Sequence, residues 1–126
     1  DRHVRATVRT ITSGPNTWDV AWIMAKYVDS SNQVYGLLHT NGVVELAIFK
    51  NGQKLMWSAA TGLSPFTTRI IDIDIVGNKA YVYVDGHVRL SVTHDWLDDF
   101  GGYTAFYTHQ SSTADFDDMT VVIQSG

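Results

Sequence analysis

Hydrophobic and polar residues alternate with a period of two along most of the chain. In the segment 69–76, isoleucines fall at every second position and Asp72 and Asp74 stand between them. The segment 87–93 repeats the pattern with valine and leucine. Because successive side chains of a strand point to opposite faces of a sheet, this alternation predicts half-buried antiparallel strands. No segment of about 11–18 residues shows the apolar period of a helix.

Turn signals separate the alternating segments at a spacing typical of β-sandwiches. Asn41-Gly42, Asn51-Gly52 and Asp85-Gly86 are residue pairs that adopt the positive φ angles of tight hairpins. The pattern predicts strands at 3–12, 18–28, 33–39, 43–50, 53–58, 67–76, 79–84, 87–93, 103–108 and 116–123. This many short strands split into two packed sheets.

Composition restricts the classes of function. The chain has 126 residues, of which 44% are hydrophobic, and this suffices for one domain with a core. Its net charge of −4 and its scattered lysines give no basic patch, so no nucleic-acid partner is expected. No run approaches the ~20 apolar residues of a membrane helix, so no membrane insertion is expected. The absence of cysteine excludes disulfide and thiolate-metal sites.

The order of the segments resembles a known family of folds. The segments that carry the resemblance, over nearly the whole chain, are Val4–Arg9, Ala21–Asp29, Asn32, Tyr35-Gly36, Asn51-Gly52, Ile73–Asn78, Val82–Gly86, Gly101–Tyr103, Phe106-Tyr107 and Phe116–Val121. In this order they are similar to the concanavalin A-like and laminin G-like jelly rolls found as carbohydrate-binding modules of extracellular microbial proteins. This resemblance implies an all-β, two-sheet antiparallel jelly-roll β-sandwich and a non-catalytic, exported module that binds a polysaccharide or other glycan outside the cell or at its surface.

The chain departs from this family at its beginning. Members usually have one more strand ahead of the segment that matches Val4–Arg9. Residues 1–126 are therefore expected to form a single jelly-roll domain that lacks a first strand, or a fragment of a longer chain. An unpaired sheet edge accepts a strand from another chain. The alternative function is thus a structural or adhesive surface domain that self-associates through an open sheet edge.

The residues expected of a glycosidase are missing. Such enzymes use two carboxylates that flank the scissile bond, and enzymes of this fold resemble one another in a Glu-x-Asp-x-Glu strand. Glu45 is the single glutamate among 13 acidic residues, and Asp72 and Asp74 are more simply read as solvated carboxylates. The chain is therefore expected not to be an enzyme, and a glycan-active enzyme with an unrecognised site is the second alternative.

Aromatic residues provide the candidate ligand-binding site. A sugar ring has an apolar face that stacks on aromatic rings, and hydroxyl groups that need polar partners. On the strand 18–28, the pattern places Trp22 on one face with Met24 and Lys26, and similar modules carry a basic residue at the position of Lys26. Core packing is the alternative for each aromatic, Trp18 included. The predicted ligand-binding residues are Trp22, Lys26, Trp57, Trp96, Tyr107 and His109.

Acidic residues near the C-terminus provide a candidate metal site. Jelly-roll modules often hold a structural calcium ion where the last strand meets an early one, and calcium takes six to eight oxygen ligands. The resemblance therefore implies Asp115, Asp117 and Asp118 as candidate calcium ligands. The alternative is that these side chains cap backbone amides of turns.

Overall fold

The chain forms two antiparallel sheets. A computed structural model describes residues 1–99 and 101–123, with Met119 described by its backbone alone. The predicted all-β sandwich is confirmed, because the described residues form ten strands and one short 3-10 helix. These elements are β1 (Arg2–Thr12), β2 (Ala21–Asp29), β3 (Asn32–Leu38), β4 (Val43–Lys50), β5 (Gln53–Ala60), β6 (Arg69–Val76), β7 (Lys79–Val84), β8 (His87–Thr93), the 3-10 helix η1 (Asp95–Asp98), β9 (Tyr103–Thr108) and β10 (Thr113–Ile123).

Each sheet contains five strands. Sheet A has the order β10-β1-β6-β7-β8, and sheet B has the order β5-β4-β3-β2-β9. The chain passes from sheet A to sheet B after β1, returns after β5, and crosses again on each side of β9. Within the described residues, no helix is long and apolar enough to span a membrane.

The hydrophobic core lies between the two sheets. Ile73 and Val82 of sheet A and Ile23, Leu46 and Ile48 of sheet B are almost completely buried there. They are the alternating apolar positions of their strands. Burial of each such side chain stabilises the fold by about 1.5–3 kcal/mol relative to its exposure.

A bulge in β2 changes the direction of Lys26. Met24 pairs with Tyr35, but the next pair joins Lys26 to Val34, so Ala25 is an extra residue on β2. Such a residue shifts the alternation by one position. Lys26 therefore points into the interior, where it is 7% exposed and its Nζ donates to the carbonyl of Leu97 at 2.7 Å. The prediction that Lys26 shares a face with Trp22 is wrong.

The bulge is held from the opposite sheet. Arg2 of β1 is buried, and its Nη1 donates to the carbonyl of Ala25 at 2.8 Å. Burial lowers the pKa of Lys26, and the positive charge of Arg2 lowers it further, whereas Asp98 opposes the change. The two cations thus fix the bulge and η1 from inside the sandwich.

Four strands lie at sheet edges. They are β5 and β9 in sheet B and β8 and β10 in sheet A. Edge strands present backbone groups that can pair with another chain. Self-association through such an edge stays a prediction.

We expect Gly102→Ala to destabilise the fold by roughly 2–4 kcal/mol. Gly102 has a φ angle of +140°, and a Cβ there would lie 2.6 Å from the carbonyl oxygen of Tyr27. Gly101→Ala is the matched control, because a Cβ at that position meets no atom within 4 Å. Urea unfolding of the two variants measures the difference in stability. Equal stabilities would contradict the conclusion that the backbone at Gly102 leaves no room for a Cβ.

Candidate functional site

The outer face of sheet B carries a groove of about 910 Å³. It is built from the residues that alternate with the core positions of the strands. The strand register arranges their side chains in three rows across the sheet, and two alanines in the central row leave room above the backbone. From β5 to β9, the rows are Lys54–Phe49–Gln33–Tyr27–Tyr103, Met56–Ala47–Tyr35–Met24–Ala105 and Ser58–Glu45–Leu37–Trp22–Tyr107.

Four aromatic rings form a diagonal stack across this face. Trp22 lies between Tyr35, with ring centroids 4.3 Å apart, and His109, with ring centroids 4.7 Å apart. Both pairs are within 15° of parallel. Phe49 extends the stack beyond Tyr35 at 6.3 Å. Because neighbouring rings cover both faces of Trp22, this indole cannot offer a free face to a sugar.

Among the described residues that line the groove, the exposed aromatic rings are Tyr107 and Trp18, each 45% exposed. Tyr103, at the end of the first row, is 82% exposed but lies outside this lining. Tyr107 is inclined at 67° to Trp22, so it stands outside the stack. Trp18 lies in the loop before β2, and its carbonyl accepts a hydrogen bond of 2.8 Å from Nε1 of Trp22. These two rings are therefore the stacking surfaces that the groove offers to a ligand.

The loop that carries Trp18 is held on two sides. The hydroxyl of Thr17 and Nδ1 of His39 share a hydrogen bond of 2.9 Å. On the other side, Oδ1 of Asp19 lies 2.7 Å from Nδ1 of His109, and its Oδ2 accepts from the backbone N–H of Asn16. Burial raises the pKa of Asp19, but the hydrogen bonds from Asn16 and His109 outweigh it and leave the pKa below its ordinary value. These contacts fix the position of the loop.

Glu45 supplies a buried carboxylate to the wall of the groove. Its side chain is 7% exposed, and Oε1 accepts a hydrogen bond of 2.7 Å from Nε2 of His39. Among the described residues none donates to Oε2, which is not one of the fully buried atoms that lack a partner. Burial raises the pKa of Tyr35, and the negative charge of Glu45 raises it further. The field of this carboxylate therefore reaches the central row of the groove.

Three predicted ligand-binding residues come together in the groove. Trp22, Tyr107 and His109 contact one another through their rings. The exposure of Trp18 was not predicted, although its position near the Gly-Pro-Asn turn was a signal for it. The role of Glu45 in the groove wall was not predicted either, because its sequence neighbourhood holds no second acidic residue.

Trp57 and Trp96 lie away from the groove. Both pack against the hydrophobic core, Trp57 from β5 and Trp96 from η1. His94 stands between them, with centroids 5.9 Å from Trp57 and 5.2 Å from Trp96. The structure does not bring them together with Trp22, and their role in ligand binding stays a prediction.

The three candidate calcium ligands are exposed on β10. Asp118 has a φ angle of +49° at a bulge, and its backbone N–H donates to Oδ1 of Asp117 at 3.0 Å. In this contact a carboxylate caps a backbone amide, which is the alternative to calcium binding. Asp115 pairs in register with Arg9. Among the described residues, no three His, Asp or Glu side chains are grouped to hold a metal ion. Calcium binding stays a prediction.

Comparisons with known proteins bear on the fold. No protein-family model and no curated protein matches the sequence. The solved structure of the carbohydrate-binding module CBM66 from Bacillus subtilis is similar, with a TM-score of 0.71 and 13% identity over 96% of this chain and 74% of that chain. At this identity, the likeness shows that the chain shares the β-sandwich fold of that module.

We expect the free energy of unfolding to fall as the pH rises above 10, and Tyr35→Phe to reduce this loss. The pKa of Tyr35 is raised above its ordinary value of 10.0 in the folded chain. The contribution of the protonated Tyr35 phenol to stability is therefore complete below pH 10.0. It is lost at higher pH, because the phenol of the unfolded chain releases its proton before that of the folded chain. Urea unfolding across this alkaline range measures the slope for both proteins. An equal slope in the variant would show that Tyr35 is not protected from ionisation.

Proposed function

We propose that this chain is a non-catalytic carbohydrate-binding module of an exported protein, of the concanavalin A-like class, and that it binds a glycan in the groove of sheet B. The observation that carries the proposal is the meeting of exposed rings and hydrogen-bonding groups in one groove. The similarity in fold to a solved carbohydrate-binding module supports the proposal.

The groove fits the chemistry of a sugar chain. The apolar face of a pyranose or furanose ring stacks on Tyr107 or Trp18, because aromatic rings and C–H-rich faces exclude water together. Hydroxyl groups find partners in the side chains of Gln33, Asn41 and His109, which also line the groove. The groove crosses the strands of the sheet, whose edges are β5 and β9. A chain of several sugars is therefore the better fit.

The chemistry of the groove supports binding rather than catalysis. Glycosidases need two carboxylates that flank the scissile bond. Glu45 is the one carboxylate among the described residues that line the groove. Asp72 and Asp74 lie on the outer face of sheet A, where Arg5 and His3 engage them. Asp72 is 3% exposed, so the expectation that both carboxylates are solvated is wrong.

Tyr107→Ala and Trp18→Ala should each weaken glycan binding about tenfold, a loss of about 1.4 kcal/mol. Titration calorimetry and tryptophan fluorescence against a panel of soluble neutral oligosaccharides measure the affinity. Tyr83→Ala is the matched control, since this half-buried tyrosine lies on sheet A, and it should leave the affinity unchanged.

Two outcomes would contradict the proposed carbohydrate-binding groove. A protein that binds no oligosaccharide of the panel, and that light scattering finds as a large assembly, would favour the strand-sharing surface domain instead. Retention of full affinity in both groove variants would place the binding site elsewhere on the molecule.

A further inference from the structure

Only one of the two carboxylate oxygens of Glu45 has a hydrogen-bond partner among the described residues. Its side chain is more than nine-tenths buried and lines the groove. His39 occupies Oε1, and the hydroxyl of Thr17 holds the other nitrogen of that imidazole. Oε2 accepts no hydrogen bond that involves a described residue, and it is not among the fully buried atoms that lack a partner. It is therefore the oxygen of Glu45 that remains open to a ligand in the groove.

Apart from its partner His39, no lysine or arginine among the described residues of the groove lining lies next to Glu45. Lys54 is the one lysine or arginine among the described residues that line the groove. It pairs in register with Phe49, four residues along β4 from Glu45, which corresponds to roughly 13 Å. Its Nζ lies over the ring of Phe49 at 5.8 Å. The far end of the groove is therefore cationic, whereas the end at Glu45 is anionic.

We propose that the groove recognises the free amino group of a hexosamine-containing glycan, whose ammonium donates to Oε2 of Glu45. This inference rests on the proposed function and names the substrate class of the same groove. The ammonium supplies a hydrogen bond to the open oxygen and a full positive charge beside the carboxylate. A hydroxyl group would supply the hydrogen bond alone, and a uronic acid would place two carboxylates together.

The exposed ring of Tyr107 lies at a separation from Glu45 that one oligosaccharide can span. Glu45 and Tyr107 belong to the same row across sheet B, with Leu37 and Trp22 between them. Three strand spacings separate the two residues, a distance of roughly 14 Å. One sugar of an oligosaccharide can thus place its amine at Glu45 while another stacks on Tyr107. The net charge of −4 also favours the approach of a cationic chain.

The test compares two β-1,4-linked hexamers of glucosamine, one with free amines and one fully N-acetylated. Calorimetry of the unmodified protein at neutral pH and low salt should find the amine hexamer bound at least tenfold more tightly. Added salt should reduce this preference, because it screens the ion pair. Equal binding, or tighter binding of the acetylated hexamer, would overturn the inference without any variant.

Glu45→Gln assigns the preference to the carboxylate. We expect the variant to lose the preference for the amine hexamer and to keep the affinity for the acetylated one. Asp95→Asn makes the same change from carboxylate to amide at an exposed position of η1 outside the groove lining and should keep the preference. Preference retained in Glu45→Gln would overturn the assignment, and thermal unfolding of both variants checks that they are folded.

The results separate this inference from the proposed function. If neutral oligosaccharides bind in a manner that depends on Tyr107 while the amine hexamer has no advantage, the inference fails and the carbohydrate-binding module stands. If neither hexamer nor any oligosaccharide of the neutral panel binds, both fail.

Discussion

The one-residue bulge at Ala25 in β2 determines which side chains enter the interior and which face the groove. Before the bulge, Ile23 packs in the core and Trp22 and Met24 face outward. After it, Lys26 turns inward and holds η1 through the carbonyl of Leu97. Arg2 binds the carbonyl of Ala25 from the opposite sheet. The groove, the position of η1 and the joining of the two sheets therefore depend on the same irregularity.

The sequence predicted the strands well because the chain alternates almost without interruption. All ten predicted segments overlap observed strands, and their apolar positions, such as Ile71, Ile73 and Ile75, form the core. Burial of one face makes the register of such strands highly specific. The bulge escaped prediction, because Ala21–Asp29 carries no glycine or other local signal for it. The error at Lys26 follows from that.

The candidate site was only partly predictable, because strand neighbours come from distant parts of the chain. Alternation placed Trp22 outward, but it could not show that Tyr35 and His109 would cover both faces of its ring. Trp18 lies in a loop, where no periodicity indicates exposure. The importance of Glu45 arises from His39 and from its position in the groove wall. Neither is visible in the residues that flank it.

The diagonal stack of Phe49, Tyr35, Trp22 and His109 has a thermodynamic consequence for any ligand. Immobilising a flexible side chain on binding costs about 0.5–1.5 kcal/mol. These rings are already fixed by one another and, at the His109 end, by the carboxylate of Asp19. A ligand that settles along their edges loses little of its interaction energy to the ordering of the protein. The surface is preorganised, because these side chains already lost their conformational entropy when the chain folded.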